Sequence, residues 1–137
     1  MNWTLEVVVV PVSDVARAVA FYTGGLGFVV DHDTKLGAGR RLVQLTPRGS
    51  GCSVVLGEGL SEMAPGSLRG LQLVVNDVRA AHTELTARSV AVSKVQVLGP
   101  SGARPAVPGE DLNNVGFLFL DDPDGNGWAV QQISARP

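Results

Sequence analysis

Groups that could carry out acid–base or nucleophilic chemistry are few in this sequence. The densest cluster is Asp31-His32-Asp33, where carboxylates beside an imidazole could support proton transfer. In an extended strand, however, Asp31 and Asp33 would share one face and His32 would take the other. We therefore interpret the cluster as an exposed turn rather than a catalytic centre.

The remaining candidates for chemistry are weaker. The single cysteine, Cys52, has no evident base nearby, so we expect a buried structural thiol rather than a nucleophile. Glu110 and Asp111 lie in a long irregular segment and could reach into a binding cleft, although acids in loops are usually solvated. Asp121, Asp122 and Asp124 have the spacing of turn residues. No catalytic residue can therefore be assigned from the sequence.

Composition limits the possible partners. The chain has 137 residues, of which 45% are hydrophobic and 18% are charged, and its formal net charge of −2 gives no attraction for nucleic acid or an anionic membrane. The longest apolar run, 7–10, is far shorter than the ~20 residues that span a bilayer. The lone cysteine agrees with a reducing compartment. We expect a cytoplasmic protein with neither a nucleic-acid nor a membrane partner.

The elements that must position any site come from an internal repeat. The segment 47–54, with sequence PRGSGCSV, is echoed by 123–130, with sequence PDGNGWAV. Upstream, 12–18 is echoed by 75–81, and each copy leads from an apolar strand into a helix that begins after an aspartate. Two equivalent modules are therefore predicted in one domain over 1–137: module one at about 1–57, a linker at 58–67, and module two at about 68–137.

Periodicity assigns the elements within each module. In module one we predict strands at 4–12, 26–34, 40–45 and 53–56, with a helix at 15–22. In module two we predict strands at 71–75, 90–97, 116–120 and 128–133, with a helix at 77–88. The segment 99–114 is rich in proline and glycine and has no counterpart of its length in module one. We consider it either a lid or wall over a pocket or a disordered surface loop.

With this organisation, the sequence resembles the vicinal oxygen chelate superfamily, the glyoxalase, bleomycin-resistance and extradiol dioxygenase group. The resemblance rests on the helix ending in Phe21-Tyr22, on Leu26-Gly27-Phe28, and on Asp122-Pro123-Asp124-Gly125-Asn126. It implies an α+β fold of two βαβββ modules forming a curled mixed sheet with a central cleft. It also implies a homodimer, because modules of this superfamily commonly pair between chains.

The resemblance also implies where metal ligands would lie, on the first and last strands of each module. These positions correspond to Val7 and Gly70 on the first strands and to Ser53 and Ala129 on the last strands. A catalytic divalent ion needs about three converging His, Asp or Glu donors, which these residues do not supply. A register error of two residues would bring in only neutral amides. We therefore predict a site without a metal and no cofactor.

The same strand faces offer an apolar lining with a few neutral hydrogen-bonding groups. By alternation, the predicted ligand-binding residues on this face are Val7, Val9, Ser53, Val55, Gln72, Val74, Ala129 and Gln131. Such a lining suits a small apolar or aromatic molecule. The valines could equally be packed core, whereas Gln72 and Gln131, if buried, would need hydrogen-bond partners that a ligand or water could supply.

The leading hypothesis is a metal-independent protein of the glyoxalase/bleomycin-resistance type that binds an apolar or aromatic metabolite or drug. One alternative is a metal-free enzyme of isomerase or lyase type, in which Gln72 and Gln131 act with an acid such as Asp31 or Glu110. A metal-dependent lyase or dioxygenase is the least favoured, because the expected ligands are missing. The sequence does not identify the ligand.

Overall fold

The computed structural model describes residues 1–136 and divides the chain into two units. Unit one comprises Met1–Leu68 together with Asp122–Asn126, and unit two comprises Arg69–Asp121 together with residues 127–136. Within residues 1–136 each unit contains one α-helix and one mixed sheet, of four strands in unit one and five strands in unit two, and unit one also has a 3-10 turn at Gly37–Gly39. The predicted α+β class is confirmed. No helix within residues 1–136 is long and apolar enough to cross a membrane.

Unit one follows the predicted βαβββ order. Its elements are β1 (Val7–Val9), α1 (Val15–Ala20), a π-helical turn (Phe21–Gly25), β2 (Val29–Lys35), β3 (Arg41–Thr46) and β4 (Ser53–Gly57). The strand order is β1-β4-β3-β2, with β1 and β4 parallel and the other neighbours antiparallel. The first and last strands of the module are therefore adjacent.

The helix of unit one begins where its capping residue satisfies a free backbone donor. The Asp14 carboxylate accepts a hydrogen bond from the Arg17 N–H at 3.0 Å. α1 lies against β3 and β4 and its apolar residues Val15 and Ala18 are buried, so the helix covers one face of the sheet. The buried side chains that form this layer are Val15, Ala18, Tyr22, Val43, Leu45, Val54 and Leu56.

Unit two has one strand more than predicted. Its elements are β5 (Leu71–Val75), α2 (Val78–Ala87), β6 (Gln96–Gly99), β7 (Gly102–Pro105), β8 (Gly116–Asp121) and β9 (Gly127–Gln132). The strand order is β5-β9-β8-β6-β7, and β5 runs parallel to β9. Asp77 caps α2 by accepting from the Ala80 N–H at 3.1 Å. The repeat is thus preserved in its first, last and helical elements.

The extra strand corrects the prediction for 99–114. β7 pairs with β6 in an antiparallel hairpin, and an ion pair between Arg104 and Glu110 joins this hairpin to the segment that follows. The segment is therefore ordered structure at the sheet edge, and the disordered-loop alternative is wrong. Module two is βαββββ rather than βαβββ.

Two predicted strands are shorter than their apolar runs. β1 covers only Val7–Val9 of the predicted 4–12, and β6 begins at Gln96 rather than at position 90. Before β6, Ser93 bonds to Phe119 of β8 in an irregular way. The Ser93 N–H donates to the Phe119 carbonyl, but the Phe119 N–H donates to the Ser93 hydroxyl instead of to a backbone carbonyl, both at 2.9 Å. A side-chain oxygen in the ladder interrupts regular pairing.

Candidate functional site

The predicted ligand-binding residues fall into two groups, one in each unit, and each group lies on the sheet face opposite the helix. In unit one, Val7 pairs with Ser53 and Val9 pairs with Val55. In unit two, Gln72 pairs with Ala129 and Val74 pairs with Gln131. Residues directly opposite each other on paired strands share a face. We call these surfaces the helix-free face of unit one and the helix-free face of unit two.

The two faces differ in exposure. On unit one, Ser53 and Val55 are buried, and Val7 and Val9 are half-buried. On unit two, Gln72 is exposed and Val74 retains 46% of its exposure, which is high for a valine in the interior of a strand. The helix-free face of unit two therefore offers the more accessible apolar surface.

Two phenylalanines on β8 complete the helix-free face of unit two. Phe117 pairs with Gln131 and Phe119 pairs with Ala129, so both rings stand on that face. Their centroids are 6.2 Å apart and their planes differ by 7°, and Phe119 remains 37% exposed. The result is an aromatic shelf, and we use that name for Phe117 and Phe119 together. Parallel, partly exposed rings are a good surface for stacking another ring.

Sequence reasoning missed the aromatic shelf, although a signal for it was present. The sequence predicts the strand at 116–120, and its alternation places the two phenylalanines on one face and Gly116 and Leu118 on the other. Only the pairing of β8 beside β9 shows that the phenylalanines stand on the same face as Ala129 and Gln131.

The two predicted glutamines form a hydrogen-bonded chain. The Gln72 Nε2 donates to the Gln131 Oε1 at 2.5 Å, and the Gln131 Nε2 donates to the backbone carbonyl of Asn114 at 2.8 Å. Asn114 lies in the turn before β8 with a φ of 69°. The amides are thus partnered by each other and by the backbone rather than left unsatisfied.

Two open cavities flank Phe119 at the ends of the central strands of unit two. One, of about 370 Å³, is bordered by Phe119, Ala129, Trp128, Gly70 and Arg69 among others. The other, of about 320 Å³, is bordered by Ala91, Val92 and Phe119. Volumes of this size accommodate a small organic molecule.

The Asp31 cluster lies in β2 and not in a turn, and its predicted geometry is wrong. A β-bulge between Val30 and His32 inserts Asp31 as an extra residue, which breaks the alternation. Thr46 Oγ1 donates a hydrogen bond to the Asp31 carboxylate and lies 2.6 Å from Ser53 Oγ. Asp31 therefore stands on the helix-free face of unit one.

Asp33 stands on the opposite face from Asp31. It pairs with Val43 and forms an ion pair of 2.7 Å with Arg41. The hydrogen bond from the Arg41 guanidinium holds the pKa of Asp33 below its ordinary value. The two carboxylates thus do not act together on His32.

Glu110 and Cys52 are also engaged in local contacts. Glu110 accepts from Arg104 and from the Val107 N–H, and these bonds lower its pKa to about 2. An acid of that strength stays ionised at neutral pH and is a poor proton donor. Cys52 is half-buried rather than buried, and its Sγ lies 3.7 Å from the Ser53 carbonyl.

The residues at the implied metal positions do not fit a metal ion. Within residues 1–136, no group of three His, Cys, Asp or Glu side chains lies close enough to hold one. The paired positions hold Val7 with Ser53 and Gln72 with Ala129. Gly70 precedes β5, and Ala129 pairs with Gln72, two residues further along the strand, whereas Val7 pairs directly with Ser53 in unit one. None of these residues is a good ligand for a divalent cation.

The Asp122-to-Asn126 turn is structural. The Asp122 Oδ1 accepts from the backbone N–H groups of Asp124, Gly125 and Asn126, and its Oδ2 accepts from the Tyr22 hydroxyl at 2.8 Å. Asn126 donates to the Pro11 carbonyl, also at 2.8 Å. The predicted turn chemistry is confirmed for Asp122, whereas Asp121 is the last residue of β8 and the Asp124 carboxylate accepts hydrogen bonds from Ser13 and Arg17. The turn satisfies buried polar groups and offers none to a ligand.

The fold defines the class of protein. The chain has two modules; in each, the first and last strands are adjacent and parallel, and a helix covers one face of the sheet. The family model for the Glyoxalase/Bleomycin resistance protein/Dioxygenase superfamily matches residues 4–130, and the chain belongs to this superfamily. The resemblance found in the sequence is confirmed. No protein of curated function matches the chain significantly.

Several solved structures are similar to this chain. The antibiotic-binding protein TnmS3 from Streptomyces sp. CB03234 is 33% identical, with a TM-score of 0.75 and coverage of 97% of this chain and 98% of that chain. A glyoxalase/bleomycin resistance protein from the same strain is also 33% identical, with a TM-score of 0.72 and coverage of 94% and 100%. A superfamily member from Sphaerobacter thermophilus DSM 20745 is 28% identical, with a TM-score of 0.75 and coverage of 96% and 98%.

Proposed function

We propose that this protein binds a small, largely apolar or aromatic organic molecule, without a metal ion, on the helix-free face of unit two. The observation that carries this proposal is the aromatic shelf beside Ala129. Phe119 is partly exposed, and its cross-strand neighbour has only a methyl side chain. A planar ligand could stack on the shelf and occupy the space above Ala129. The 33% identity to an antibiotic-binding protein supports a ligand of this kind.

Binding without turnover is favoured by the state of the acids. Asp31 is hydrogen-bonded to Thr46, and Glu110 is held ionised by Arg104. On the helix-free face of unit two the carboxylate of β8 is that of Asp121, which lies 3.6 Å from the Arg69 guanidinium. Each of these acids is therefore committed to a local contact, which supports binding rather than acid–base catalysis.

Fluorescence titration with 1-methoxypyrene tests the binding proposal. We expect saturable binding by the wild-type protein and a weaker affinity in Phe119→Ala, because stacking and apolar contact are lost. Ala129→Leu should also weaken binding, because the larger side chain fills the space beside the shelf. Val107→Ala is the control, since Val107 is an exposed valine outside the strands. Equal affinities in wild type, Phe119→Ala and Ala129→Leu would overturn the proposal.

Metal independence is tested by elemental analysis of untagged protein, together with thermal melts in chelator and in added Ni, Zn, Mn or Fe(II). We expect no stoichiometric metal and no metal-dependent change in Tm, because the implied positions hold Val7, Gly70, Ser53 and Ala129, and the residue that pairs with Ala129 is the neutral Gln72. A stoichiometric metal, or a large stabilisation by one ion, would refute metal independence and favour a lyase or dioxygenase.

We also propose a homodimer. The segment before β1 presents Trp3 at 85% and Leu5 at 69% exposure, next to a strand at the edge of its sheet. Exposed large apolar residues beside an unpaired strand edge are typical of an association surface. Sedimentation equilibrium should give a dimer for the wild type and a monomer for the Trp3→Ser/Leu5→Ser double variant. A wild type that stays monomeric at 100 μM would refute the dimer.

A further inference from the structure

We propose that the ligand carries a hydrogen-bond donor, a hydroxyl or N–H group, that it presents to the Oε1 of Gln72. This inference rests on the proposed function and specifies the chemistry of the ligand at the same site. It follows from the direction of the hydrogen bonds in the glutamine chain.

The direction of the hydrogen bonds through Gln72 and Gln131 is determined by their last acceptor, the Asn114 carbonyl. The backbone carbonyl of Asn114 can only accept, so the Gln131 side chain must turn its NH₂ group toward that carbonyl. The Gln131 Oε1 then faces Gln72 and can only accept, so Gln72 must turn its own NH₂ group toward Gln131. Each amide fixes the orientation of the next.

The Gln72 Oε1 is the acceptor that these hydrogen bonds leave available to a ligand. The Gln72 Nε2 is committed to Gln131, and within residues 1–136 no donor bonds to the Gln72 Oε1. Gln72 is exposed, so water can satisfy this oxygen while no ligand is bound. A ligand that covers Gln72 must replace that water with a donor of its own or leave the acceptor unsatisfied.

The acceptor stands across Ala129 from the aromatic shelf. Gln72 and Phe119 both pair with Ala129, from β5 and β8 respectively, so all three share the helix-free face. Two strand spacings, about 10 Å, separate the backbones of Gln72 and Phe119. Since Ala129 has only a methyl group, a ring system could lie above it, stack against Phe119 and direct a substituent at Gln72.

The test compares 1-hydroxypyrene, whose hydroxyl can donate, with 1-methoxypyrene, whose ether oxygen can only accept. A neutral hydrogen bond at a partly exposed site corresponds to a preference of about threefold to tenfold. The ether is the more hydrophobic probe, so the affinity ratio measured in Gln72→Leu serves as the reference. We expect the wild type to favour 1-hydroxypyrene by about threefold to tenfold relative to that reference.

Two further variants separate donor recognition from ring binding. Phe119→Ala should weaken both probes and leave their ratio unchanged, because the ring system is common to both. Gln131→Leu should bring the ratio toward that of Gln72→Leu, because the Gln72 amide is then free to rotate and present either end. A merely structural effect of Gln131→Leu would lower both affinities without changing the ratio.

The outcomes distinguish this inference from the proposed function. If both probes bind and lose affinity in Phe119→Ala, but the wild-type ratio equals that of Gln72→Leu, the donor requirement is wrong and the site stands. A preference for 1-hydroxypyrene that persists at full size in Gln131→Leu would also overturn the inference. If neither probe binds to the wild-type protein, the proposed function fails and the donor requirement fails with it.

Discussion

The hydrogen bond between Tyr22 and Asp122 allows a quantitative test of how the turn motif stabilises unit one. Tyr22 is fully buried and Asp122 is 4% exposed, and the tyrosine hydroxyl donates to the carboxylate at 2.8 Å. Tyr22→Phe removes this hydroxyl and retains the ring, which lies 5.1 Å from Phe21 and 5.5 Å from Phe28 between centroids. The substitution therefore removes this buried, charge-assisted hydrogen bond.

A hydrogen bond to a charged group contributes about 1.5–3 kcal/mol. The affected Oδ2 of Asp122 keeps a second donor, the Asn126 Nδ2 at 2.8 Å, so the lower part of that range applies. We expect Tyr22→Phe to lower the free energy of unfolding by about 2 kcal/mol. For a chain of 137 residues this corresponds to a fall in Tm of about 6–8 °C.

Urea denaturation and calorimetry of Tyr22→Phe, Asp122→Asn and the double variant provide the measurement. Because the two side chains contact each other, we expect the cycle to give a coupling of about 1 kcal/mol or more. The reasoning would be refuted if Tyr22→Phe cost less than about 0.5 kcal/mol, or if the two single effects were fully additive.

The remaining predictions concern stability, and each removes or blocks one contact that the structure identifies. Gly66→Ala should lower the free energy of unfolding by about 1–3 kcal/mol more than Gly109→Ala, as measured by urea denaturation. Both glycines have a positive φ, +81° and +79°, but only a Cβ at Gly66 would collide with the Asp124 carbonyl. Equal losses of stability would show that the backbone around Gly66 moves to accommodate the methyl group. The pKa of Glu110, about 2 against an ordinary 4.5, is lowered in the folded state, so its contribution to stability is present above pH 4.5 and is lost as the pH falls toward 2. Melts across that range should therefore show a shallower decline in Glu110→Gln than in wild type, and parallel curves would contradict the assignment. Asp77→Ala should destabilise by about 1 kcal/mol in the same assay through loss of the helix cap, and an unchanged midpoint would show that solvent replaces it.

The sequence predicted the features that depend on neighbouring residues. Asp14 and Asp77 begin their helices as expected, because a capping carboxylate bonds to a backbone N–H only three residues along the chain. The turn at 122–126 was predicted for the same reason, since Asp122 bonds to the N–H groups of the residues just after it.

The sequence was less informative where a distant strand determines the local structure. The run at 90–97 is apolar enough for a strand. The Phe119 N–H of β8, however, donates to the Ser93 hydroxyl rather than to a backbone carbonyl, and regular pairing begins only at Gln96. The bulge at Asp31 likewise shows only in the pairing of β2 with β3. The proline- and glycine-rich composition of 99–114 concealed β7, which pairs with β6 across a short turn.

By itself, the sequence determined the two-module plan, the helix starts and the family. Repeated segments, helix caps and turns can each be recognised within a short stretch of residues, without knowing which strands pair. Only the tertiary structure decided that Phe117 and Phe119 share a face with Ala129, and that Gln72, Gln131 and Asn114 form one chain of hydrogen bonds. Both arrangements depend on which strands are neighbours and in what register. A shift of one residue would send every side chain of a strand to the other face.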